Sequence, residues 1–144
     1  MIENESKVLV VEDDKDISEL ISYNLKKEEF VVTQVFDGFN ALKMLNQEFF
    51  NIVILDLMLP GIDGFDICKK IKENKSAFKT FIIVVSAKNS NQDKLYAHIL
   101  GANCYLTKPF NMGDLKQITK EAESMQNREF IVEKIAKGGR KMHN

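Results

Sequence analysis

Apolar residues fall along this chain in two alternating patterns. Val8-Leu9-Val10-Val11, Ile52-Val53-Ile54-Leu55 and Phe81-Ile82-Ile83-Val84-Val85 are unbroken runs rich in β-branched side chains. They are too short for typical helices and have no polar face, which predicts strands buried on both sides in a parallel sheet. Phe30 to Phe36 mixes apolar and polar positions and suits an edge strand, and Asn103 to Thr107 is a weaker fifth strand. The gaps carry helical spacing. Ile17, Leu20, Ile21 and Leu25 follow Asp14 and Asp16, either of which can cap a helix. Ala41, Leu42 and Leu45 follow Asp37, and Phe65, Ile67, Cys68 and Ile71 follow Asp63-Gly64. Leu95, Ile99 and Leu100 precede Gly101, a C-terminal stop. Leu115, Ile118, Ala122 and Met125 follow Pro109.

The order is therefore βαβαβαβαβα. This predicts an α/β fold: a doubly wound, five-stranded parallel sheet with helices on both faces and right-handed crossovers. From about Glu123 to Asn144 the pattern changes. Phe130, Ile131, Val132 and Ile135 suit one short extra helix before Gly138-Gly139, or a linker. The expected division is one domain over 1–122 and a tail over 123–144, which is too short to form a domain alone.

Composition narrows the function. The chain has 144 residues, 44% hydrophobic and 28% charged, enough apolar surface for one folded domain. Twenty basic residues against 21 acidic ones give a net charge of −1, so bulk charge offers nothing to nucleic acid. No apolar run approaches a membrane span. The polar stretch Met1 to Lys7 has no signal-peptide pattern, and the expected location is cytoplasmic. Cys68 and Cys104 form no CxxC pair and read as small hydrophobes.

Ligands of open parallel sheets bind beyond the carboxyl ends of the strands. Here those ends carry Glu12-Asp13-Asp14, Asp56, Ser86-Ala87-Lys88 and Lys108-Pro109. Clustered carboxylates repel and recruit a cation. A set of carboxylates with no His among them suits Mg²⁺, with Mn²⁺ as the alternative, and not zinc. A cation and a lysine together neutralise an incoming phosphoryl group, and an aspartate can accept it as an acyl phosphate. Taken singly, each of these residues would pass for a cap or a surface charge. Polar groups after four of the five strands, taken together, are not explained by capping.

At these residues the sequence resembles the receiver domain of two-component response regulators. The matching stretches are Val8 to Asp14, Ile54 to Gly64 and Gly101 to Phe110. The resemblance implies the flavodoxin-like strand order 2-1-3-4-5. It implies that Asp56 accepts a phosphoryl group from a sensor histidine kinase or a histidine phosphotransfer protein. Asp13 would ligate Mg²⁺ directly and Glu12 through water, with Asp56 and the backbone carbonyl of Met58 completing the protein ligands. Ser86 and Lys108 would hold phosphoryl oxygens, and Lys108–Pro109 would be a cis peptide.

Ser86 and Tyr105 would form the switch. Ser86 moves toward the phosphoryl group, Tyr105 turns inward, and the face of the fourth helix, fifth strand and fifth helix changes shape for a downstream protein. Met58 and Lys88, each two residues past a site residue, would tune dephosphorylation and make it slow. The chain would thus be no conventional enzyme, catalysing only its own phosphorylation and slow autodephosphorylation.

The Met58-Leu59-Pro60-Gly61 stretch is also similar to receivers of winged-helix transcription factors. Asn103-Cys104 and Ile118 replace charged residues of their dimer face, so a monomer is the default and a phosphorylation-dependent dimer the alternative. Two other readings compete. One is the receiver part of a DNA-binding regulator cut before its output domain. The other is a phosphatase of the haloacid dehalogenase type, which would want an aspartate where Met58 stands.

Overall fold

The protein is described here from a computed structural model covering residues 5–74, 77 and 79–136, with side chains to residue 125. Five strands and five helices alternate: β1 (Lys7–Val11), α1 (Lys15–Lys27), β2 (Val31–Val35), α2 (Gly38–Gln47), β3 (Ile52–Leu55), α3 (Gly64–Glu73), β4 (Phe81–Ser86), α4 (Asn91–Ile99), β5 (Cys104–Thr107) and α5 (Met112–Ala136). All pairings are parallel, in the order β2-β1-β3-β4-β5. The doubly wound α/β fold and its 2-1-3-4-5 order are as expected.

Side-chain alternation along the central strands builds two cores. Leu9, Val11, Val53, Leu55, Ile82 and Val84 face α2, α3 and α4, where Ala41, Leu45, Ile67, Ile71 and Ala97 meet them. Val8, Val10, Ile52, Ile54, Ile83 and Val85 face α1 and α5, against Ile21, Leu25, Leu115 and Ala122. Each fully buried Leu or Ile contributes about 1.5–3 kcal/mol, so the two layers dominate stability. Cys68 belongs to the first layer and Cys104 to the second, so the sheet separates two free thiols. Burial drives the Cys68 thiol up to about 12, which keeps it protonated and inert.

Helix starts follow the capping chemistry. Asp14 accepts from the N–H groups of Asp16 and Ile17 at 3.0 and 3.1 Å. Asp37 accepts from Asn40, Asp63 from Phe65 and Ser90 from Asp93, at 2.8, 2.8 and 3.0 Å. These caps stand just beyond the strands' carboxyl ends and fix the loops there. Gly101, at φ +117°, follows α4 as expected. By contrast, the turn after α1 places Glu29 at φ +70°, a left-handed conformation closed by the Phe30 N–H donating to the Leu25 carbonyl at 3.1 Å. Past residue 122, α5 continues unbroken to Ala136; residues 137–144, including Gly138-Gly139, lie outside the described residues. Among the described residues no helix is long and apolar enough to cross a membrane.

Candidate functional site

Parallel pairing brings the carboxyl ends of all five strands to one edge of the sheet. Val11 pairs with Leu55 across β1 and β3, so the residues that follow them, Glu12 and Asp56, stand side by side. Oxygens of Glu12, Asp13 and Asp56 lie within 4.8 Å of one another. Glu12 and Asp56 are buried and Asp13 is exposed, so the cluster opens to solvent on the Asp13 side.

Lys108 reaches this cluster from the end of β5. Its Nζ donates to Glu12 Oε1 at 2.6 Å and to Asp56 Oδ2 at 2.9 Å. Burial pulls its ammonium down, but the hydrogen bonds and charges of Glu12 and Asp56 outweigh this, and Lys108 is held above its usual range. Glu12 is pushed up, first by burial and further by the charge of Asp56, against the opposing pull of Lys108 and of the Asp14 N–H. Three carboxylates face one ammonium, and the imbalance favours a cation. Hard, closely spaced oxygen donors fit Mg²⁺ or Mn²⁺.

Backbone groups hold the acidic side chains in place. The Met58 N–H donates to Asp56 Oδ1 at 2.9 Å, and the Asp14 N–H to Glu12 Oε2 at 3.1 Å. The loop after β3 is pinned by Gly64, whose N–H donates to the Leu57 carbonyl at 3.2 Å. A Cβ on Gly64 would stand 2.3 Å from Leu57 Cα and 2.9 Å from the Asp56 carbonyl oxygen. Gly64 thus sets where Asp56 sits, a role that only the folded contact reveals.

The remaining sequence-predicted residues form a second group at the ends of β4 and β5. Ser86 is fully buried; its Oγ accepts from the Lys88 N–H at 3.3 Å, and its carbonyl accepts from the Lys108 N–H at 2.8 Å. Tyr105 is half-buried, and its hydroxyl donates to the Lys88 carbonyl at 2.8 Å. Burial raises the Tyr105 hydroxyl, Asp93 adds to this, and a hydrogen bond with Ser86 opposes it. The Lys88 backbone therefore links Ser86 to Tyr105, whereas the sequence had marked Lys88 for its side chain. The Lys108–Pro109 peptide is cis, and Met58 is 54% exposed.

A five-stranded parallel sheet in the order β2-β1-β3-β4-β5, with an acidic, lysine-bridged pocket at its carboxyl edge, places the protein in the flavodoxin-like class of α/β folds. Residues 8–120 match the response regulator receiver domain, and the chain belongs to that family. The receiver domain of Francisella response regulator 1452 is 30% identical, with a TM-score of 0.78 over 84% of this chain and 98% of that one. The BeF3-activated receiver domain of DrrB is 33% identical, with a TM-score of 0.76 over 83% of this chain and 97% of that one. A CheY-like receiver from Methanospirillum hungatei is 26% identical, with a TM-score of 0.83 over 88% of this chain and 99% of that one. Phosphorelay signalling is therefore the setting of this domain.

Proposed function

We propose that Asp56 accepts a phosphoryl group in a Mg²⁺-dependent reaction and that the change is read on the face formed by α4, β5 and α5. The observation that carries this is the convergence of Glu12, Asp13, Asp56 and Lys108 at one sheet edge. The donor is a phosphohistidine on a sensor histidine kinase or a phosphotransfer protein. An Asp56 carboxylate oxygen attacks phosphorus, the P–O bond forms as the P–N bond breaks, and the imidazole nitrogen keeps the electron pair and takes up a proton. Glu12, Asp13, Asp56 and the Met58 carbonyl would hold Mg²⁺, or Mn²⁺ as the alternative. The ion would supply neutralising charge to the phosphoryl oxygens. Lys108, already 2.9 Å from Asp56, pairs with one of those oxygens.

The switch follows from the hydrogen bonds at Lys88. To reach a phosphoryl oxygen, the Ser86 hydroxyl leaves the Lys88 N–H, which frees the segment whose carbonyl holds Tyr105. Of the nine residues of α4 only Ala97 is buried, while Leu95, Tyr96 and Ile99 are more than half exposed. A helix anchored so lightly shifts at small cost, which makes it a suitable readout. The output is a downstream protein, reached in the cytoplasm by a monomer. This face makes no direct contact with nucleic acid. Intact DrrB, an OmpR/PhoB homologue, has only 52% of its chain covered by this match, which favours one second reading: a receiver that precedes a DNA-binding output domain.

Met58 has no polar group to orient a water, so the acyl phosphate is long-lived; Lys88 reinforces this by pairing with it. Labelling with radioactive acetyl phosphate tests both the reaction and the lifetime. Wild type should label in Mg²⁺ and not in EDTA. The Met58→Asn, Lys88→Glu double variant should then lose its label several-fold faster. Labelling that persists in EDTA would contradict the metal-dependent reaction, and equal decay would contradict the tuning role.

A further inference from the structure

The first two turns of α4 meet the rest of the domain through an aromatic contact. None of Asn91 to Tyr96 is buried. The Ser90 cap bonds Asp93, which ties the helix start to itself. Tyr96 is 51% exposed, yet its ring meets that of Phe65 on α3, with centroids 4.9 Å apart and planes tilted by 55°. Such a tilted pair is attractive beyond its buried area. From Ala97 onward α4 joins the core. Ala97 is fully buried, Leu100 packs against the same layer, and Gly101 lies under Lys72, where an added Cβ would meet Lys72 Cγ at 2.2 Å. Phe65 is fixed to the pocket. Its N–H donates to the Asp63 cap at 2.8 Å, and Gly64 before it donates to the Leu57 carbonyl at 3.2 Å. Leu57 follows Asp56 directly. The contact thus joins a firmly held ring on α3 to the lightly held end of α4.

We infer that the Phe65–Tyr96 contact is a latch that sets how readily the domain switches. This rests on the reading of Asp56 as the acceptor and of α4 as the element that shifts. In this structure Ser86 Oγ accepts from the Lys88 N–H, the bond that the switch breaks, so the latch belongs to the arrangement that precedes switching. Lys88 stands three residues before α4, and a shift begun there enters the helix at the end the latch holds. Moving that end separates Tyr96 from Phe65, because Phe65 stays with the loop of Asp56. The attraction between the rings therefore opposes the shifted state and no other part of the reaction. Removing either ring lifts this opposition and makes a phosphoryl mimic bind more tightly. General loosening of the packing leaves that affinity unchanged or lowers it, so a gain in affinity separates a latch from a merely structural contact.

The test titrates the full chain with beryllium fluoride in Mg²⁺ and reads the affinity by calorimetry. Tyr96→Ala should bind about two- to tenfold more tightly than wild type, the range that an aromatic pair supports. Tyr96→Phe keeps the ring and should bind as wild type does. Phe65→Leu should also tighten binding, and combining it with Tyr96→Ala should add nothing, since both remove one contact. Leu95→Ala, at a 59% exposed neighbour on α4, is the control and should match wild type. Without beryllium, the amides of Asn91 to Tyr96 should exchange hydrogen faster in Tyr96→Ala. Equal or weaker binding by Tyr96→Ala would overturn the inference. So would tightening by Tyr96→Phe or Leu95→Ala, or additive gains in the double variant. Binding that is absent from wild type, or undiminished in Asp56→Ala, would overturn the acceptor reading itself.

Discussion

Gly64→Ala is expected to destabilise the domain by about 3 kcal/mol or more. The sign is informative, because Ala in place of Gly ordinarily stabilises a helix by roughly 1 kcal/mol. Gly64 opens α3, and its new Cβ would meet Leu57 Cα at 2.3 Å, the Leu57 carbonyl oxygen at 2.8 Å and the Asp56 carbonyl oxygen at 2.9 Å. All three atoms are backbone, so no rotamer change relieves the clash. Either α3 tilts off the sheet or the loop carrying Asp56 moves, and both disturb the buried layer of Leu55, Leu57 and Ile67. Urea unfolding measures the effect. An unchanged or raised midpoint would contradict the close approach of α3 to the loop.

Lys108→Ala is expected to cost about 3 kcal/mol at pH 7, because it strips the counter-charge from two buried carboxylates. The loss should depend on pH with a defined sign. Glu12 is already held above its ordinary range by burial, then by the charge of Asp56, and Lys108 is what opposes them. Without Lys108, Glu12 rises further. A carboxyl group whose folded value lies above its unfolded one contributes stability that is present below the unfolded value. That contribution is lost as pH rises through the folded value. The deficit of the variant relative to wild type should therefore shrink as pH falls from 7 toward 5. Urea midpoints for both proteins across that range check this. A deficit that is flat or grows on acidification would show that Lys108 does not compensate Glu12. The variant should also lose roughly 100-fold or more in labelling rate, since a preorganised charge on the phosphoryl oxygens is gone.

Much of this fold is legible in residue order because its chemistry is local. The β1, β3 and β4 runs are apolar on both faces since helices cover both, and Asp14, Asp37 and Asp63 announce helix starts by capping them. The pocket is legible for a related reason: in a parallel sheet the residue after each strand lands at one edge, so Glu12, Asp13, Asp56 and Lys108 can be grouped without coordinates. What escapes is set by approach in three dimensions. The need for Gly64 depends on how near Leu57 passes, and no residue type encodes that distance. Glu29 takes a left-handed turn where glycine would be expected, held by the Phe30 to Leu25 hydrogen bond. The link from Ser86 through the Lys88 backbone to Tyr105 uses peptide groups, which every residue carries. The length of α5 was hidden because its apolar spacing changes past Met125 while its helix continues.

Asp56 as the phosphoryl acceptor is tested most directly by labelling wild type and Asp56→Ala with radioactive acetyl phosphate in Mg²⁺. Wild type should take up acid-stable, base-labile label in proportion to protein, and Asp56→Ala should take up none. Undiminished labelling of Asp56→Ala would place the acceptor elsewhere and contradict the role assigned to the pocket.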